Sequence, residues 1–273
     1  MRVGRIGYIN CFPIYGALDR GIVATPAELV TGTPAELNEL LLAGEVSVSV
    51  VSAVEYARNA SQLFLLPDLA ISSDGPVRSV GVFCKRPISE MTGQTVLVSQ
   101  SSRTSVLLFE LLCKDYWHIR TNLVEARAEA ADLDDLTGLP HEGLLVIGDA
   151  ALHLKDLDRY EYFYDLGLLW KQWTGQPFVF AVWAARRDAP AAAVKDVHAV
   201  LLESRAWGLA NLDVLADEAS RQTGIDAATC GEYLEGLDYA LSYAHLEGLT
   251  GFFRRLVSRG IVRDDTLSFL SVA

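Results

Sequence analysis

The chain has 273 residues, of which 51% are hydrophobic and 21% are charged, and this composition is typical of a globular protein rather than a disordered one. Its length allows one large domain or two smaller ones with a sizeable buried core. The formal net charge of −12 argues against nucleic acid and against an anionic membrane surface as partners, because both carry charge of the same sign.

The N-terminal residues predict no secretory signal, and no segment predicts a membrane span. Only a few apolar residues lie between Arg2 and Asn10, and no apolar run approaches the ~20 residues of a transmembrane helix. The four cysteines are widely spaced and form no CxxC pair, which argues against a disulfide framework and a zinc site. We therefore expect a cytoplasmic protein with reduced thiols.

Strand-like segments alternate with helical ones, which is typical of an α/β fold. One helix has a clear start, because Thr33 can cap it, Pro34 lies in its first turn and Glu36 is three residues after the cap. Strands are predicted at 2–9, within 22–31, at 46–52, at 77–85, at the start of 94–116, at the start of 143–154 and at 178–186. Helices are predicted at 13–20, from 33 to near 44, at 52–59, at the ends of 94–116 and 143–154, and from 190 to the end of the chain with one break at 223–226.

The strands at 77–85 and 178–186 bracket about a hundred residues that themselves alternate between strand and helix. This pattern predicts a two-lobed fold in which each lobe is a mixed sheet flanked by helices. The first lobe would be discontinuous, with residues 1–78 and 184–273, and residues 79–183 would form the second lobe, joined through two hinge strands. Ligands of such folds bind in the cleft between the lobes, so we expect the active site there.

Small polar residues follow several of the predicted strands, at the sheet edge where ligands collect in α/β folds. Hydroxyl groups and the backbone N–H groups of helix starts dominate this set, which suits a carboxylate ligand. The set consists of Asn10, Ser52, Ser79, the segment 99–105 and the pair Gly148-Asp149. Positive charges near strand ends come from Arg58, Arg78 and Arg103.

Most of these positions also have a purely structural interpretation. Asn10 could form a turn, Ser52 could cap a helix, and Gly148-Asp149 could be a tight turn with a cap. Ser79 has no capping role in an apolar strand, which favours a functional one. The four serines and one threonine around Arg103 exceed what one helix start requires, which favours anion binding.

Other chemistries find little support in the sequence. There is no G-x-S-x-G motif and no glycine-rich phosphate loop, and none of the five histidines lies at a predicted strand end. An acidic stretch at 125–135 is typical of a solvated surface and not of a metal site.

Five segments, taken in order, resemble the chorismate dehydratases of the futalosine route to menaquinone. They are "RIGYINCFPIYGAL", "VSVSVVSAVEYARN", "LLPDLAISSDGPVRSVGVF", "SQSSRTSVLLFELL" and "VIGDAAL". The resemblance implies a type II periplasmic-binding-protein-like fold used as an enzyme. It implies a hydro-lyase that eliminates water from chorismate to give 3-[(1-carboxyvinyl)oxy]benzoate, with no cofactor and no metal.

The resemblance also implies roles for individual residues. Asn10 and Ser79 would be the catalytic residues, orienting the enolpyruvyl carboxylate of the substrate as the base or hydrogen-bonding the leaving hydroxyl. The implied contacts to one substrate carboxylate are Ser101, Ser102 and Thr104, and those to the ring or the other carboxylate are Gly148 and Asp149. The predicted substrate-binding set is completed by Ser52, Arg78 and Arg103.

Two alternatives remain open. One is 1,4-dihydroxy-6-naphthoate synthase of the same pathway, although its opening resembles "SPCPND" more than "YINCFP" and it relies on a histidine base. The other is a cytoplasmic protein that only binds a small acid. A homodimer is possible as well, because aromatic residues of the C-terminal helices could pack a dimer as easily as a core. These residues are Tyr233, Tyr239, Tyr243, Phe252 and Phe253.

Overall fold

The computed structural model describes residues 1–99, 103–126, 138–156 and 159–271. Contacts within the chain divide it into two compact units. Unit 1 consists of Met1–Ser72 and Val179–Ala273, and unit 2 consists of Ser73–Phe178. The lobe boundaries predicted from the sequence, after residues 78 and 183, lie a few residues further along the chain than these.

Strands and helices alternate along most of the chain. The strands are β1 (Arg2–Arg5), β2 (Glu28–Thr31), β3 (Val48–Ser52), β4 (Leu63–Ser73), β5 (Val80–Cys84), β6 (Thr95–Ser99), β7 (Asn122–Ala126), β8 (Gly143–Ile147), β9 (Tyr162–Asp165) and β10 (Phe178–Arg186). The α-helices are α1 (Phe12–Asp19), α2 (Pro34–Ala43), α3 (Ala53–Asn59), α4 (Arg103–Leu111), α5 (Asp149–Asp156), α6 (Leu166–Thr174), α7 (Ala191–Ala210), α8 (Leu212–Thr223), α9 (Ala227–Glu235) and α10 (Tyr243–Val257). Short 3-10 turns cover Ile9–Cys11 and Ile88–Glu90, and a π-helical turn, Leu112–Tyr116, follows α4.

Unit 1 is built on a mixed five-stranded sheet in the order β2-β1-β3-β10-β4. β1 pairs in parallel with β2 and β3, whereas β10 is antiparallel to β3. The carboxyl ends of β1 and β3 therefore meet at one edge of the sheet, and the segments that follow them both begin there.

Helix α2 shows how local sequence determines an element boundary. The Thr33 backbone N–H donates to the Glu36 carboxylate over 2.8 Å, and the Glu36 N–H donates to the Thr33 hydroxyl over 3.3 Å. This capping box satisfies N–H groups that the first turn leaves without an intrahelical partner. Gly44 ends the helix in the left-handed conformation at φ 83°. Both predicted boundaries of this helix are confirmed.

Unit 2 is built on a second mixed sheet, in the order β7-β6-β8-β5-β9. β6 is parallel to β7 and β8, and β5 is antiparallel to β8 and β9. The start of β5 therefore lies at the same sheet edge as the carboxyl ends of β6 and β8.

Three predicted elements need correction. The first strand ends at Arg5 instead of residue 9, because Ile9–Cys11 already forms a 3-10 turn. The strand predicted at 77–85 spans only Val80–Cys84 and lies inside the sheet of unit 2. The chain instead leaves unit 1 along β4, for which the sequence predicts no strand. Helical structure ends at Val257 and does not reach the end of the chain.

Most of the C-terminal aromatic residues belong to the core of unit 1. Four of the five that the sequence left open as core or dimer interface are buried in unit 1, and Tyr243 is 92% exposed. All four cysteines are buried and none of them forms a disulfide, and burial raises the pKa of Cys84 and of Cys113 to about 12. Within the described residues, no helix is long and apolar enough to cross a membrane.

Candidate active site

Asn10 lies in the 3-10 turn that separates β1 from α1. The turn is closed by the Cys11 N–H, which donates to the Tyr8 carbonyl over 3.0 Å, and its flanking side chains Ile9 and Cys11 are buried. The Asn10 carboxamide oxygen is buried and accepts no hydrogen bond from any described residue. Buried polar atoms without a partner are rare and call for a functional or structural explanation.

Tyr15 fixes the helix behind this turn. Its hydroxyl donates to the Gly4 carbonyl of β1 over 3.1 Å and accepts from the Trp183 indole N–H of β10 over 2.9 Å. Burial raises the pKa of Tyr15 well above its usual range, so the phenol stays neutral and able to donate. Helix α1 is thereby tied to two strands of the unit 1 sheet, which holds the Asn10 turn in place.

Ser52 also follows a strand of this sheet, and it caps α3. Its hydroxyl accepts from the Glu55 N–H over 3.4 Å, which is the structural alternative that the sequence offered. The Glu55 carboxylate lies 3.4 Å from the Arg58 guanidinium within the same helix. A direct role of Ser52 in binding a substrate stays a prediction.

Arg78 and Ser79 are positioned by a residue that the sequence did not single out. The Asp165 carboxylate accepts from the backbone N–H groups of Val77 and Arg78, over 3.1 and 2.7 Å, and from Leu168 over 3.0 Å as the cap of α6. Arg78 adopts a left-handed φ of 65°, which only a well-supported turn stabilises in a non-glycine residue. Asp165 is itself 7% exposed, so this carboxylate is a buried anchor for the turn before β5.

Ser79 lies directly beside the Gly148 turn. The Gly148 N–H donates to the Ser79 carbonyl over 2.7 Å, next to the cross-strand pair Val80 and Ile147. Ser79 is 2% exposed. Gly148 has a left-handed φ of 61°, and Asp149 is the first residue of α5. The structure therefore brings Arg78, Ser79 and the Gly148-Asp149 pair to one edge of the unit 2 sheet.

Helix α4 starts at this same edge, because β6 and β8 are parallel neighbours. Arg103 is the first residue of α4 and is exposed, whereas Thr104 is 3% exposed. Two helix N-termini, each carrying partial positive charge, thus share an edge with the Ser79 turn. Ser101 and Ser102 lie outside the described residues.

These groups are mostly hydrogen-bond donors and positive charges, and Asp149 adds one carboxylate. The predicted set offers a carboxamide, hydroxyls, backbone N–H groups, two guanidinium groups and this carboxylate, but no imidazole or amine base. Across the described parts of the chain, no three His, Cys, Asp or Glu side chains are placed to hold a metal ion. The guanidinium and N–H donors of unit 2 can bind a carboxylate ligand.

The sequence matches the menaquinone biosynthesis family over residues 1–258. It is 34% identical over 238 residues to the chorismate dehydratase of Thermus thermophilus, a match that covers 82% of this chain and 84% of that protein.

Solved structures similar to this one share its fold at low sequence identity. A crystal structure of an Archaeoglobus fulgidus protein has a TM-score of 0.79 at 20% identity, covering 96% of this chain and 98% of that one. The alkanesulfonate-binding protein SsuA of Xanthomonas axonopodis pv. citri, bound to MOPS, has a TM-score of 0.70 at 14% identity, covering 98% and 95%. A Candida albicans protein with the generic periplasmic binding protein fold has a TM-score of 0.64 at 11% identity, covering 100% and 98%. The predicted fold class is confirmed.

Proposed function

The chain belongs to the menaquinone biosynthesis family, and from this premise we propose that it catalyses the dehydration of chorismate to 3-[(1-carboxyvinyl)oxy]benzoate. The observation that carries the proposal is the 34% identity to a chorismate dehydratase over most of both chains. The reaction would take place in the cytoplasm, where the pathway that consumes its product is expected to operate.

The reaction removes a ring hydroxyl and a ring proton and leaves an aromatic ring, with the enolpyruvyl ether retained. The proton and the hydroxide add up to one water, so the net change is the loss of one water molecule. Aromaticity favours the product, so the protein has to hold the dianion in a reactive pose more than it has to supply a strong base. Positioning of this kind alone can accelerate a reaction by several orders of magnitude.

We assign the carboxylates of the substrate to the donor groups of unit 2. The N-termini of α4 and α5, the Arg78 and Arg103 guanidinium groups and the Thr104 hydroxyl are the donors that suit them. These local donors have to capture a dianion against the net charge of −12 of the whole chain.

Asn10 and Ser79 are proposed as the catalytic pair. The Asn10 amide group and the Ser79 hydroxyl can each donate one hydrogen bond to the enolpyruvyl carboxylate that acts as base, or to the departing hydroxyl. We assign the base to the substrate itself, because the predicted set contains no imidazole or amine and its one carboxylate, Asp149, is assigned to substrate binding.

The test is an absorbance and mass assay of the purified full chain with chorismate, without added metal or cofactor. We expect a product lighter by one water that retains the enolpyruvyl group. Asn10→Ala and Ser79→Ala should each lower kcat by about 10²-fold, which is typical for loss of one transition-state donor. Asn122→Ala is the control, because that exposed amide donates to the Gly93 carbonyl and belongs to no part of the predicted site.

The same assay separates the alternatives. No turnover, together with a melting temperature raised by chorismate or another small acid, would identify a binding protein instead. Turnover that survives both alanine substitutions would refute the proposed catalytic pair while leaving the reaction itself established.

A further inference from the structure

Several side-chain oxygens of unit 1 are buried and have no hydrogen-bond partner among the described residues. Asn10 Oδ1, Ser204 Oγ and Tyr239 Oη are among them. Ser204 and Tyr239 are 0% and 2% exposed. Native proteins pair almost all such atoms, because water removed from a polar group has to be replaced by another hydrogen bond.

Helix α7 carries Ser204 and contacts both the segment that follows Asn10 and the backbone of Tyr239. Gly208 packs against the start of α1 so closely that a Cβ there would lie 2.1 Å from the Pro13 carbonyl oxygen. Ser204 lies one turn earlier on the same buried face of α7, since residues four apart share a face. Arg205, the next residue, donates to the Tyr239 carbonyl over 3.0 Å. One turn of α7 thus links the segment after Asn10 with Tyr239.

Hydrogen bonds fix the backbone around Tyr239 and thereby position its side chain. The Tyr239 carbonyl also accepts from the Ala70 N–H of β4 over 3.3 Å, and the Leu241 N–H donates to the Asp68 carboxylate over 3.3 Å. Burial raises the pKa of Tyr239 well above its usual range, and the neighbouring Tyr233 and Cys11 groups raise it further. The hydroxyl is therefore neutral and able to donate.

We propose that one buried water molecule is bound by the Asn10, Ser204 and Tyr239 oxygens and that it fixes the orientation of the Asn10 carboxamide. Two hydroxyls and one carboxamide oxygen supply three partners, which is the usual number for a buried water. Because the water binds the carboxamide oxygen of Asn10, the NH2 group of this amide faces the ligand. Ser204 and Tyr239 are then positioning residues that act through Asn10. Their effect on catalysis rests on the proposed function, whereas the water site itself does not.

A thermal-stability cycle tests the water site without any substrate. The four proteins are the parent, Tyr239→Phe, Asn10→Ala and the double variant. Removing the Tyr239 hydroxyl should lower the melting temperature by about 2 °C when Asn10 is present, and by less than half as much when it is absent. An isolated hydroxyl would behave differently, because its removal would leave stability unchanged or raise it. An equal shift in both backgrounds, or no loss of stability, overturns the proposal.

A kinetic comparison tests the positioning role. Tyr239→Phe should lower kcat for chorismate about fivefold, with KM changed by less than about twofold. Tyr56→Phe is the matched control, because Tyr56 is equally buried and its hydroxyl accepts from the Ser268 N–H over 2.8 Å. That variant should lose stability but keep kcat. If Tyr239→Phe keeps the parental kcat, or if both variants lose the same factor, the positioning role is wrong. A parent protein without turnover would refute the proposed function and leave the stability cycle to decide the water site.

Discussion

Replacing Gly208 by alanine should destabilise unit 1 and disturb the Asn10 turn. The added methyl would lie 2.1 Å from the Pro13 oxygen and 2.6 Å from the Pro13 Cα, whereas ordinary contacts begin at 3.4 Å. Helices α1 and α7 would have to separate by about 1 Å, because the opposing atoms belong to the backbone and cannot rotate away. Overpacking of this kind costs about 1–3 kcal/mol, and the better helix propensity of alanine offsets about 1 kcal/mol. The upper end of the range applies to a backbone contact, so we expect a net loss of about 2 kcal/mol in the free energy of unfolding.

The measurement is urea unfolding of Gly208→Ala beside Gly231→Ala. At Gly231, in α9, the new methyl would meet only the Ala216 Cβ at 3.7 Å, an ordinary contact. That control should gain about 0.5–1 kcal/mol from helix propensity. We also expect turnover of the folded Gly208→Ala protein to fall, since Pro13 and the Asn10 turn move together. If Gly208→Ala is as stable as the parent while Gly231→Ala behaves as expected, the inferred helix contact is wrong.

Three further predictions concern the anchor, pH and metals. Asp165→Asn leaves one oxygen and no charge for three N–H donors, so it should lower the free energy of unfolding by about 1–3 kcal/mol. It should also raise KM, because the turn at Arg78 and Ser79 becomes looser. Unchanged stability and KM would contradict this. Burial lowers the pKa of His198, whose ring N–H donates to the Pro67 carbonyl, so its contribution to stability should be complete above its unfolded-state pKa of about 6.5. That contribution should be lost as pH falls through the lowered pKa of the folded state, and His198→Gln should flatten part of this slope in unfolding curves recorded from about pH 7.5 down to about pH 5. Treatment with a chelator should leave turnover intact, and a loss that an added metal ion restores would overturn the cofactor-free reaction.

The sequence predicts elements well where local rules decide them. The start and end of α2 depend on Thr33, Glu36 and Gly44, which lie within or next to the helix itself. β4 was missed because Pro67 and Asp68 interrupt its apolar pattern, and Asp68 has a left-handed φ of 56°. β4 is an edge strand whose outer side pairs at isolated bridges, Leu65 with Phe269 and Ser72 with Asp238, so a proline between these bridges is tolerated.

The residues of the candidate site also divide into those that the local sequence predicts and those that it does not. Residues beside strand ends can be found from the alternating pattern, and the structure places Ser79 next to Gly148 at one sheet edge. Asp165 could not be found, because its partners Val77 and Arg78 are distant in sequence and the pairing exists only after folding. Its position after a strand and before a helix was the one available signal.

The buried cysteines make this chain unusually convenient for site-specific labelling. Since all four native thiols are buried and two of them have strongly raised pKa values, maleimide dyes should spare them in the folded protein. Cysteines introduced at Tyr243 in unit 1 and Leu139 in unit 2, which are 92% and 48% exposed, would then carry a donor and an acceptor fluorophore without any background mutation. The fluorescence of each dye, recorded while chorismate is added, would then report on its own unit separately.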